Sequence, residues 1–177
     1  MTELTDRLFS GTPRDSRGVR FRRWALLAAP AAAILFQVYV PLFLPFLAYL
    51  ELPLLLTLYL ALLRQNPLSG MFIGAAIGLV QDSLSHQPLG MFGIVKTLVG
   101  YFAGSVSLRF DVDLALVRLL LGFFFFAFHQ FLYWVLARAL LGQMVPFGVR
   151  QALVVGALNA LVAVPLFHLL DKLKERS

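Results

Sequence analysis

Apolar residues run along this chain in long blocks, not in alternation. After a polar opening of 23 residues, apolar stretches cover roughly 25–42, 47–63, 68–84, 89–107, 115–137 and 146–169. Each approaches the roughly 20 residues that a helix needs to cross a bilayer core. The breaks between them carry turn chemistry: "RQNP" at 64–67, "SHQP" at 85–88, "RFDVD" at 109–113 and "GQMVP" at 142–146. Period-two alternation over short segments is absent, so a β-barrel is not expected. The pattern predicts an all-α membrane protein, a compact bundle of about six transmembrane helices. It divides the chain into a basic N-terminal segment (1–23), the bundle (24–170) and a basic tail (171–177). Pro41, Pro45 and Glu51 crowd the junction of the first two spans, where a broken or re-entrant connection is expected.

Composition supports the same class. The chain is 60% hydrophobic and only 14% charged, whereas about a quarter of a soluble domain is charged. Its net charge of +6 is not a nucleic-acid footprint, because the cations gather at helix ends. With both termini on one side, twelve of the 15 lysines and arginines fall on that side. Arg138 and Arg150 fall on the other, and Lys96 lies inside a span. The positive-inside rule then places both termini in the cytoplasm. Arg17, Arg20, Arg22, Arg23 and Trp24 form an interfacial anchor for the lipid bilayer. The absence of cysteine excludes disulfides, iron–sulfur clusters and thiol catalysis.

Small residues recur at helical spacing in the third and fourth spans. Gly70, Gly74 and Gly78 line one face; Gly93, Thr97, Gly100 and Gly104 line another. Such rows let helix backbones approach closely in lipid, within the chain or against a partner's span. Charge inside a span is costly and is usually paired or functional. Counting about 1.5 Å per residue puts Asp82 and Lys96 at one depth in the outer half, so an Asp82–Lys96 pair is expected. Gln37, His129 and, somewhat lower, Asn159 join the same polar layer. That layer is read as a network that fixes the bundle, a ligand or ion pathway, or a contact with a partner's span. Glu51 sits where a helix N-terminus would welcome an acid.

Span five carries "FFFFAFHQFLYW", with eight aromatics in 123–134. They cover every side of a helix, so some face lipid. Phe124 and Phe128 are candidates for helix packing or partner contact, and Tyr133 and Trp134 for an interfacial belt. No catalytic, cofactor-binding or metal site is expected. The three histidines fall on separate segments without metal-ligand spacing, and HExxH, GxSxG and a phosphate loop are absent. His86 and His168 are expected to be solvated or interfacial.

An acidic residue opening span two, then "LYLALLR", a turn, "GMFIGAAIGLVQD", "PLG" and "KTLVGYFAG" resemble the MreD family of bacterial rod shape-determining membrane proteins. The likeness is strongest over 50–109, on Gly74, Gly78, Leu79, Asp82, Pro88, Leu89, Gly90, Tyr101 and Gly104. It implies a non-enzymatic scaffold of the cell-elongation complex in the bacterial inner membrane. The partner implied is MreC, through its membrane span and adjoining segment. Beyond it stand MreB, RodA and the penicillin-binding transpeptidase of side-wall peptidoglycan synthesis. The family's bundle is also similar to the substrate-binding subunits of energy-coupling-factor transporters. A small-molecule (vitamin-like) binding subunit of a transporter is the alternative reading.

Overall fold

The computed structural model describes residues 25–85, 88–109, 112, 114–144, 146 and 148–172. The basic N-terminal anchor, His86 and the tail beyond Lys172 lie outside the described residues. Six α-helices follow in order: α1 (Ala25–Phe43), α2 (Leu52–Arg64), α3 (Pro67–Leu84), α4 (Met91–Val106), α5 (Ala115–Leu141) and α6 (Val149–Asp171). No strand occurs among them. The crowded α1–α2 junction is a short 3₁₀ turn, Pro45–Tyr49. Proline's fixed φ suits the start of that turn, and Pro53 sits harmlessly in the first turn of α2.

Four segments are long and apolar enough to cross a membrane: Leu26–Phe43, Pro45–Arg64, Ala115–Leu141 and Val149–Asp171. The second reaches that length only by joining the 3₁₀ turn to α2. The 16 residues of α4 rise about 24 Å, short of a core of about 30 Å. This helix and α3 trade apolar bulk for glycine, Gln81, Asp82 and Lys96, and they form a hairpin.

The core is built around α2. All of residues 53–62 are buried, and α2 packs against each of the other five helices. A helix apolar on every side has to be central, and "LPLLLTLYLALL" is such a helix. Its one polar side chain in that run besides Tyr59 is Thr57, whose hydroxyl donates back to the Pro53 carbonyl at 2.8 Å. The α2–α3 turn needs only Gln65 and Asn66. Gln65 takes the left-handed conformation (φ 48°). Asn66 caps α3, its Oδ1 accepting from the amides of Leu68 (2.9 Å) and Ser69 (3.2 Å).

Packing between α3 and α4 is the closest in the bundle. A Cβ built on Gly74 would overlap the Lys96 carbonyl, and one on Gly70 would overlap that of Gly100. Gly78 lies against Phe92 and Gly93, and Gly104 against Asn66 and Pro67. The glycine rows are therefore spent inside the chain, helix backbone on helix backbone. They leave no glycine face for a partner's span. On α5 an inward stripe of Arg118, Gly122, Phe125, Phe126, His129 and Ala137 is buried, while Phe124 and Phe131 point out. The α6 helix answers with Gly156, Asn159, Ala160, Ala163, Phe167 and Leu170, so small residues face aromatic ones.

Candidate functional site

Two polar clusters lie within the bundle. One is in the half that holds the α3–α4 turn, called here the turn half. The other is at the end where α1 begins and α6 finishes, the tail end.

In the turn half, Lys96 is among the largest fully buried side chains of the described residues. It is carried on α4, which the glycine seam presses onto α3, so its ammonium cannot reach the surface along a loose helix. Its nearest carboxylate belongs to Glu51, with Nζ to Oε2 at 4.0 Å. The Lys96 ammonium also lies 4.4 Å from the centre of the Phe92 ring, a cation–π contact. The Phe92 ring in turn stacks on His129 (6.0 Å between centroids) and on Tyr133 (5.4 Å). His129 is 1% exposed, and neither of its ring nitrogens has a hydrogen-bond partner.

The expected Asp82–Lys96 pair is not what forms. Each charge has a different principal partner. Asp82 Oδ2 accepts from the amides of Gly90 (3.0 Å) and Gly93 (2.9 Å), and Oδ1 from that of Phe92 (3.0 Å). These are amides at the start of α4, unpaired within the helix itself. A carboxylate at a helix N-terminus meets both the open donors and the positive end of the helix dipole. Gly90 makes this possible by adopting φ +95°, where a side chain would be strained. Asp82 is thus a fastener of the α3–α4 turn, and Lys96 is left for Glu51.

Glu51 was expected to stabilise the start of α2 with its side chain. It occupies the cap position at the positive end of α2, as that reading requires, without a side-chain capping hydrogen bond. Its backbone does the joining: the Glu51 N–H donates to Asn159 Oδ1 at 2.9 Å. The Asn159 amide group donates to the carbonyls of Tyr49 (2.8 Å) and Val155 (3.0 Å). Asn159 therefore ties α6 to the 3₁₀ turn and the head of α2. Gln37 is a different case. Its Nε2 donates to the Ala48 carbonyl at 3.3 Å, so it braces the α1–α2 junction and shows no bond to Lys96 or His129.

At the tail end, Arg118 of α5 meets Asp171, the last residue of α6, at 2.6 Å. Arg118 Nε also donates to the Val112 carbonyl at 2.8 Å. The Tyr59 hydroxyl donates to the other Asp171 oxygen at 2.9 Å. This cluster was not anticipated. The sequence pattern places Asp171 in the tail and makes Arg118 only a topological charge. An aspartate one turn past His168, at helical spacing from the core stripe, was the available signal.

The remaining sequence candidates lie on the surface. Phe124 is 57% exposed and stacks on half-buried Phe128 at 6.2 Å. Phe128 also meets Phe102 edge-on at 5.4 Å. A cleft of about 220 Å³ opens between α5 and α6 near their connection, lined by Gln130, Tyr133, Trp134, Pro146 and Gln151 among others. Among the described residues, no three His, Cys, Asp or Glu side chains come together as metal ligands.

A family model described as rod shape-determining protein MreD matches residues 19–175. That match covers both polar clusters and all six helices. No curated protein and no solved structure matches the chain.

Proposed function

The chain belongs to the MreD family of rod shape-determining membrane proteins, and from that premise we propose that it is a non-enzymatic scaffold of the cell-elongation complex. In this reading it lies in the bacterial inner membrane with both termini in the cytoplasm. It docks the membrane span and adjoining segment of MreC, and so helps to position side-wall peptidoglycan synthesis. Contact with MreB, RodA and the penicillin-binding transpeptidase is then indirect, through that partner.

The observation that carries the docking surface is the fate of the glycines. Both small-residue rows are consumed in the α3–α4 seam, so docking falls to larger exposed side chains, and the α4–α5 edge offers an aromatic set. Tyr101, Phe102 and Phe124 are exposed along the α4–α5 edge. Phe102, Phe124 and Phe128 hold one another by ring contacts. Large rings fixed in place present area without a great loss of side-chain freedom on binding.

The test is co-purification of tagged MreC in mild detergent. The double variant Phe124→Ala with Phe128→Ala should recover much less partner than the parent chain. The variant Val154→Ala, on the exposed face of α6, should recover as much. Equal recovery with the aromatic double variant sinks the aromatic face. Failure of the parent chain to recover MreC sinks the scaffold, and a tightly bound small molecule in its place would favour the transport-subunit reading.

A further inference from the structure

Among the buried side-chain atoms with no hydrogen-bond partner are Glu51 Oε2, Lys96 Nζ and both ring nitrogens of His129. They come from the head of α2, from α4 and from α5, and Lys96 is the charged neighbour of both Glu51 and His129. Their chemistry is complementary. The ammonium only donates, the carboxylate only accepts, and a neutral imidazole does one of each. Yet the shortest separation among the charged pair is 4.0 Å, too long for a direct hydrogen bond. Helix backbone cannot serve them either, because within α4 and α5 it is already bonded to itself.

An unmet set of this kind calls for a small partner that both donates and accepts. Buried water does this, typically making about three hydrogen bonds to groups that protein atoms leave unpaired. Anything larger would need a chamber at Lys96 itself, where the side chain is 0% exposed. Tyr133 links this spot to the outside. Its ring stacks on Phe92 beside His129, and the same residue lines the α5–α6 cleft with Gln130 and Gln151.

We propose that Glu51, Lys96 and His129 hold internal water, fed from the α5–α6 cleft past Tyr133. The site is independent of the docking reading above, and it places hydration in the turn half of the bundle. The tail-end cluster needs no such water, because Arg118, Asp171 and Tyr59 satisfy one another directly.

The test uses the full chain in lipid bilayers, uniformly ¹⁵N-labelled, and water-edited solid-state NMR. Magnetisation from water should reach Lys96 Nζ and the His129 ring nitrogens as fast as it reaches exposed Lys172. The backbone amide of Val99, buried one turn from Lys96, should stay slow. Build-up at Lys96 and His129 as slow as at Val99 overturns the water site. Ala152→Trp, which fills the cleft wall, should abolish the fast build-up at both residues and leave that at Lys172 unchanged. Retention of the fast build-up in that variant overturns the route through the cleft.

Discussion

At the tail end Arg118 meets Asp171 at 2.6 Å, while in the turn half Lys96 stands 4.0 Å from Glu51. Both are cation–carboxylate pairs inside one helical bundle, yet they are built differently. The guanidinium is planar and has several donors, so Arg118 serves Asp171 and the Val112 carbonyl together. Tyr59 then occupies the second carboxylate oxygen. The ammonium of Lys96 is a compact point charge. Its company is a distant carboxylate and the face of Phe92. The tail-end pair thus gains hydrogen bonds as well as charge attraction, whereas the turn-half pair relies on charge alone. Where a pair is bonded directly, it is a structural latch; where its ends stand apart and unmet, there is a place for something else to bind.

The largest expected effect breaks the turn-half pair from one side. Lys96→Ala leaves a mostly buried carboxylate without its cation, which should cost about 3–5 kcal/mol. Thermal unfolding in mild detergent reads this as a large fall in Tm, and an unchanged Tm would mean that Glu51 does not depend on Lys96. Gly74→Ala comes next. A Cβ there meets the Lys96 carbonyl, so α4 must move off α3, at about 1–3 kcal/mol for an overpacked contact. Because the shift carries Lys96 with it, the ring signals of His129 should move while those of Tyr59 stay put. Movement of both would show that the two clusters are coupled through the bundle.

The helices were legible because apolar blocks of this length in lipid have few alternatives, and their breaks hold proline, glycine and short polar runs. The α3–α4 hairpin was legible for the same reason: Gly70, Gly74, Gly78, Gly100 and Gly104 repeat at one helical face. Helix rise puts Asp82 and Lys96 at one depth, but depth fixes only one coordinate and leaves their partners open. Asp82 was nearer to three open amides at Gly90, Phe92 and Gly93 than helix spacing could reveal. A carboxylate bonded to several amides has little to gain from a cation. Glu51 escaped because its side chain turns inward from the cap position, a choice of rotamer and not of sequence pattern. The Arg118–Asp171 latch joins α5 to α6 across a long sequence separation, and no local periodicity announces it.

At the tail end the expected losses are smaller, because each change leaves other bonds standing. Asp171→Asn removes the charge that Arg118 and Tyr59 share but keeps an acceptor oxygen. A loss of about 2 kcal/mol is expected, within the range for hydrogen bonds to charged groups. Tyr59→Phe deletes one hydroxyl and should cost about 1 kcal/mol. Its ring contact with Phe167 at 5.3 Å is preserved. Equilibrium unfolding of both variants in one detergent would rank them, and the reverse order would place the hydroxyl, not the charge, at the centre of the latch.

The smallest effect is the most discriminating. Replacing both turn-half charges with neutral groups of similar shape, Glu51→Gln with Lys96→Met, removes an attraction and two desolvation costs together. For a pair at 4.0 Å with no hydrogen bond between its ends, these should nearly cancel, giving a change within about 1 kcal/mol. The matching double variant at the tail end, Asp171→Asn with Arg118→Met, forfeits the bond to Val112 and weakens that from Tyr59, and should lose stability. The contrast is therefore a difference between differences, measured by two double-mutant cycles under one condition. Should the turn-half double variant lose as much as its tail-end counterpart, then Lys96 and Glu51 form a latch like the other one, and the distinction between the two ends of the bundle falls.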